Sequence, residues 1–183
     1  MMPLPKLDTA QIESIVREVA AYIEGNRKGY LPQSVSLNGT QRLTMQPFFP
    51  AHALDSTRLV VLSGSRLGNP PFYAGLVQMG FEAGSLPDFA GMAAITFVDT
   101  VVSHDPYDNR TLFHELVHVV QYEKLGLDEF AAKYVKGFLS GGSYEAIPLE
   151  RNAYELDTRF AAEPIRPFSV AAEVQSWIDA SRF

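Results

Sequence analysis

The chain contains no cysteine. That excludes a disulfide framework and any thiolate metal site, so a metal bound by this protein has to sit on imidazole and carboxylate. Positive charge is also scarce. Fifteen Lys and Arg against 21 Asp and Glu give a net charge of −6, and no basic run occurs, which removes nucleic acid as an expected partner. No stretch of 18 apolar residues exists, so no membrane span is expected. The first residues, "MMPLPKLDTAQIESIVREVA", lack the uninterrupted apolar core of a signal peptide. Together these absences point to a cytoplasmic protein. There is no internal repeat, no low-complexity linker and no composition break. The 183 residues therefore read as a single domain of unspecified oligomeric state.

What is present suffices for a core: 46% of residues are hydrophobic, including 12 Phe and 8 Tyr, which separates the chain from disordered proteins. Ile12, Ile15, Val16, Val19 and Ile23 recur at helical spacing and predict a helix over 8–24, capped by Asp8 or Thr9 and ended by Gly25. Prolines at 32, 47 and 50 predict loop with short elements from 30 to 53. "RLVVLSG", 58–64, reads as a short buried strand, and 72–80 as a short helix closed by Gly80. "MAAITFVDTVVS", 92–103, is β-branched and apolar and reads as one strand. Helices follow at about 109–125, capped by Asp108 or Asn109 and stopped by Gly126; at 128–139, capped by Asp128; at 148–162, with Pro148 in its first turn; and at 170–180, capped by Ser169. The expected class is α+β, mostly helical with a small sheet.

The segment "TLFHELVHVVQY", 111–122, carries the chemistry. Leu112, Phe113, Leu116, Val117, Val119 and Val120 mark a helix buried on most sides, where His114, Glu115 and His118 would be costly without partners. His114 and His118 are four apart, so their rings share one face and can bind one ion. Glu115 sits about 100° further round, where it can flank that ion and reach a water on it. This is the H-E-x-x-H arrangement, in which a metal acidifies water and the Glu takes its proton. Imidazole without thiolate suits Zn²⁺.

A third ligand has to come from elsewhere, and no histidine follows His118. On the helix 148–162, Leu149, Ala153, Leu156 and Phe160 cluster within a narrow arc. Glu150 and Asp157 lie on one flank of that arc, while Glu155 points away among Arg151, Thr158 and Arg159. Glu150 is the favoured ligand, with Glu145 in the preceding loop as the alternative. Asp157 can orient a ligand histidine, although a solvated Asp is the commoner reading of that position. Gln121 and Arg110 can line the cleft or lie at the surface. Tyr107, Tyr122, Tyr144, Tyr154 and His104 are possible donors to a developing oxyanion. His52 has no pattern around it.

"HELVHVVQY" resembles the active helix of zinc metallopeptidases of the zincin type. With a later Glu as third ligand it is similar to the gluzincin branch, and above all to small bacterial zincin-like domains with H-E-L-x-H-x-x-Q helices and a later E-x-x-A helix, matched here by Glu150 and Ala153. The resemblance covers roughly residues 92–160. It implies zinc on His114, His118 and Glu150, with Glu115 as general base. The N-E-x-x-S-D signature of thermolysin-type enzymes is absent, since Leu149 precedes Glu150 and Tyr154 stands where its Asp would be. Gln121 and Lys124 likewise rule out the longer motif H-E-x-x-H-x-x-G-x-x-H. Residues 1–91 match nothing and are expected to serve as a lid or specificity region. The expected function is zinc-dependent hydrolysis of a peptide or protein substrate. The alternative is a non-catalytic zinc-binding or interaction module on the same fold.

Overall fold

The structure is a computed structural model and describes residues 4–183. It is α+β, with a small four-stranded mixed sheet among eight helices in the described residues. No helix among them is long and apolar enough to cross a membrane.

Helix α1, Thr9–Tyr30, is capped by Asp8, whose side chain accepts from the Gln11 N–H while the Gln11 side chain reciprocates. It runs one and a half turns past Gly25, the expected stop. Nothing crowds Gly25, and a glycine at φ < 0 carries only a modest helix penalty. Strand β1, Val35–Ser36, is followed by α2, Gly39–Met45, and α3, Ala51–Ser56, so 30–53 does hold short elements among its prolines. Strand β2 is Arg58–Val61, and α4 is Tyr73–Gln78.

The expected strand over 92–103 is instead a hairpin of β3, Ala94–Phe97, and β4, Thr100–Ser103. The chain reverses at Val98, which takes φ +62°, and at Asp99. Arg27 of α1 holds the Asp99 carboxylate through two bonds of 2.7 Å. A β-branched residue is strained in that region, so the turn lacks the Gly or Asn that would announce it. The sheet order is β1-β2-β4-β3. β2 and β4 are parallel, with Leu59 opposite Val101, and the outer pairs are antiparallel. β3 is an edge strand.

Helix α5, Asn109–Leu125, runs through the middle of the molecule with residues 112–122 all buried. The Asp108 carboxylate accepts from the Thr111 N–H at 2.8 Å and caps it. Gly126 at φ +77° ends it and starts α6, Leu127–Gly141. The N-cap of α6 is thus Gly126, and Asp128 lies in its first turn, where it favours the helix dipole. Helices α7, Pro148–Ala162, and α8, Val170–Asp179, complete the chain. Ser169 caps α8 by accepting from the Ala172 N–H.

Two apolar clusters clamp α5. One holds Phe48, Phe113, Leu116, Leu156 and Phe160, and the other Ile15, Phe97, Val102, Tyr122, Phe130 and Leu149. Phe113 and Phe160 stack at 4.4 Å between centroids, 10° from parallel. An aromatic pair of this kind contributes about 0.5–1.5 kcal/mol beyond area burial, and it locks α5 against α7 one residue before His114.

The start of α7 is set by a close approach at Gly137 of α6. A Cβ there would lie 2.6 Å from Pro148 Cδ and 3.4 Å from Ile147 Cγ2. Gly→Ala in a helix interior ordinarily stabilises by about 0.5–1 kcal/mol. Gly137→Ala is predicted to do the reverse, lowering stability by about 1–3 kcal/mol through overpacking. Urea denaturation checks the sign, and a stabilised variant would contradict the packing described.

Candidate metal centre

Side chains of α5 and α7 converge in the buried seam between these helices. His114 and His118, one turn apart, bring their Nε2 atoms to 3.2 Å. Glu150 Oε2, from the first turn of α7, stands 3.5 Å from the one and 3.4 Å from the other. It is fully buried without a hydrogen-bond partner. The three residues can offer one ligand atom each within 4.8 Å of one another. This buried His/His/Glu group could hold a metal ion.

The outward nitrogens of both rings are engaged, and that decides which way their lone pairs point. His114 Nδ1 lies 2.8 Å from Asp157 Oδ2. A carboxylate only accepts, so Nδ1 carries the proton and Nε2 presents a lone pair. His118 Nδ1 lies 2.9 Å from Gln121 Oε1. The Gln121 amide orientation is fixed because its Nε2 donates to Leu149 O at 3.0 Å and to Asn152 Oδ1 at 2.9 Å, so His118 also donates from Nδ1. The result is two imidazole lone pairs and one carboxylate oxygen aimed at a common point.

Three acceptors facing one another require a positive charge between them. Without a metal, protons are drawn in. Burial alone would lower the His114 pKa, but the hydrogen bond to Asp157 and the nearby charges of Glu150 and Glu115 carry it up to about 10. For His118, burial again opposes, and the charge of Glu150 prevails to raise it. Burial pushes Glu150 upward, yet the two histidines hold it well below the usual carboxylate range. Zn²⁺ or another divalent ion would satisfy all three atoms at once.

Glu115 lies beside this cluster rather than in it. Thr96 of β3 donates to Glu115 Oε2 at 2.7 Å, and the hydroxyl also sits 3.2 Å from the Glu115 carbonyl. No side chain among the described residues bonds Glu115 Oε1. Glu115 lines two cavities: an apolar one that also touches His118 and Glu150, and a more open one of mixed lining that touches His114, Arg110 and Asp157.

Several expectations are settled by placement. Glu145, the alternative ligand, is exposed on the short 3₁₀ turn Tyr144–Ala146 and lies outside the cluster. Asp157 is not a solvated surface residue. Its side chain is 4% exposed because Arg110 closes over it, donating from Nε at 3.0 Å and Nη2 at 2.8 Å to Oδ1. Gln121 is fully buried, not superficial. His104 binds no metal in this arrangement. It joins loops, accepting from the Leu67 N–H at 3.0 Å and meeting Met92 O at 2.6 Å. His52 is exposed beside Glu123. Among the tyrosines, Tyr107 commits its hydroxyl to Val60 O and Val101 O, and Tyr122 points to Thr96 O at 3.4 Å. Tyr144 and Tyr154 remain at the cleft, the Tyr154 ring 4.5 Å from that of His114. Thr96 and Asn152 escaped sequence reasoning. A Thr in a strand and an Asn in a helix carry no signal of their own.

No protein-family model, curated protein or solved structure matches the chain. The site therefore has to be judged on its own geometry.

That geometry makes a quantitative prediction. Asp157→Asn keeps the shape but removes the charge behind His114, and is predicted to weaken metal binding about 10–100-fold. Glu145→Gln should leave it unchanged. Competition against a chromophoric chelator measures both; unchanged affinity in Asp157→Asn, or a loss in Glu145→Gln, would contradict the arrangement described.

Proposed function

We propose that the protein is a zinc-dependent hydrolase of peptide bonds. The observation that carries this reading is the convergence of His114 Nε2, His118 Nε2 and Glu150 Oε2 with no donor between them, directly beside a carboxylate held by Thr96. An N₂O set without sulfur and with imidazole predominating suits zinc. Three protein ligands leave a coordination position open, as catalytic sites do and structural sites do not. Zinc held there would supply an acidified water and a Lewis acid for a carbonyl.

The residues of the chain divide the remaining work. Asp157 and Gln121 keep the two rings in the tautomer that presents Nε2, and Arg110 keeps the Asp157 charge compensated. Thr96 holds one oxygen of Glu115, leaving Oε1 to accept a proton from water and pass it to the departing amine. Glu115 also argues against a non-catalytic module, because a site that only held a metal would have no use for an anchored carboxylate outside the ligand set.

Glu115→Gln tests the reading. The variant should bind zinc as the wild type does and lose cleavage of a broad peptide library by about 10²–10⁴-fold. Zinc-loaded wild type that cleaves nothing, or a Gln variant as active as the parent, would overturn it.

A further inference from the structure

Among the described residues, Arg110 is the one lysine or arginine that lines the more open cavity beside Glu115. Its Nε and Nη2 donate to Asp157 Oδ1 at 3.0 and 2.8 Å, and Nη2 also lies 3.3 Å from Thr158 Oγ1. The guanidinium is therefore fixed before any ligand arrives, because Asp157 is itself buried and bonded through Oδ2 to His114 Nδ1. Arg110 Nη1 has no partner among the described residues, and the side chain is 57% exposed. Asp108, two residues earlier, spends both carboxylate oxygens on Thr111. A planar guanidinium anchored on one edge keeps N–H groups for a second carboxylate, with little further loss of side-chain freedom.

Tyr154 lines the same cavity. It stands three residues before Asp157 on α7, so the two share a helix face. Its ring centroid lies 4.5 Å from that of His114, and its hydroxyl has no partner among the described residues. Two unpartnered donors thus border one space, matching the two oxygens of a carboxylate. The metal position is close by. From the guanidinium the path runs across the Asp157 carboxylate and the His114 ring, a distance on the order of 10 Å. Extended backbone spans that in about three residues at most.

We propose that Arg110 and Tyr154 receive the free α-carboxylate of a peptide, so that cleavage removes a short piece, of one to about three residues, from its carboxyl end. The proposal rests on the hydrolytic reading above for the cleavage, while carboxylate binding stands apart from it. Water is the only co-reactant. The scissile carbon–nitrogen bond breaks, the hydroxyl of water joins the carbonyl carbon to give a new carboxylic acid, and Glu115 carries the remaining proton to the nitrogen of the released piece. The terminal carboxylate fits better than an acidic side chain because the backbone alone fixes its distance from the scissile bond.

Paired peptides test this. One N-acetylated peptide library is offered to the zinc-loaded full chain with free C-termini and again with C-terminal amides. The free acids are predicted to be cleaved with a kcat/KM about tenfold higher, chiefly through KM. That is the low end for a charged hydrogen bond, because Arg110 is more than half exposed. Arg110→Gln and Tyr154→Phe should each shrink the ratio of acid to amide. Any effect of either variant on zinc or on the chemistry falls on both libraries alike, so the ratio isolates carboxylate recognition. Equal cleavage of acids and amides, or a ratio that Arg110→Gln leaves intact, would overturn the proposal while the hydrolytic reading stands. Amides ending in Glu that are cleaved as well as the acids would also overturn it. If neither library is cleaved, calorimetric titration of one acid and its amide decides. Tighter binding of the acid, lost in Arg110→Gln, keeps the carboxylate site and overturns the hydrolytic reading, whereas equal binding overturns both.

Discussion

Two imidazole lone pairs and a carboxylate oxygen, pointed at one place inside the protein, repel one another unless a cation joins them. Much of the surrounding structure holds that arrangement in place. Asp157 and Gln121 take the outward N–H of each ring, Leu149 O and Asn152 fix the amide of Gln121, and Arg110 balances Asp157 from the solvent side. Each of these contacts runs between α5 and α7 or stays within α5. Buried polar networks of this kind stabilise only when their members are satisfied, and the atom left unsatisfied is Glu150 Oε2, together with Asn152 Nδ2.

The apolar structure keeps the two helices in register. Phe113 on Phe160 fixes one end of the seam, and the glycine-sized gap at Gly137 lets Pro148 start α7 close enough for Glu150 to reach the histidines. The hairpin β3–β4 contributes differently. It brings Thr96 to Glu115, while its turn is tied to α1 through Arg27 and Asp99. The first ninety residues are thus coupled to the site through α1, which also walls the apolar cavity.

The metal group was legible because it depends on spacing. Four residues separate two rings on one face, and the arc of Leu149, Ala153, Leu156 and Phe160 turns Glu150 inward, both periodicities being properties of any helix. Asp157 and Gln121 were ambiguous for a different reason. Their burial depends on partners 43 and 31 residues distant, which no local pattern reveals. The hairpin was hidden by composition, since "ITFVDTVV" is β-branched through its own turn and Val98 pays for the reversal in backbone strain. Helix α1 outruns Gly25 because a glycine closes a helix where its φ turns positive, as at Gly126, and Gly25 does not.

The most direct measurement is X-ray absorption at the zinc edge on protein purified with one equivalent of zinc. The predicted result is a low-coordinate site with two imidazole nitrogens and one protein carboxylate oxygen at about 2.0–2.2 Å, from which the carboxylate contribution disappears in Glu150→Ala. An octahedral shell of water oxygens, or a spectrum that His114→Ala and His118→Ala leave unchanged, would contradict the account.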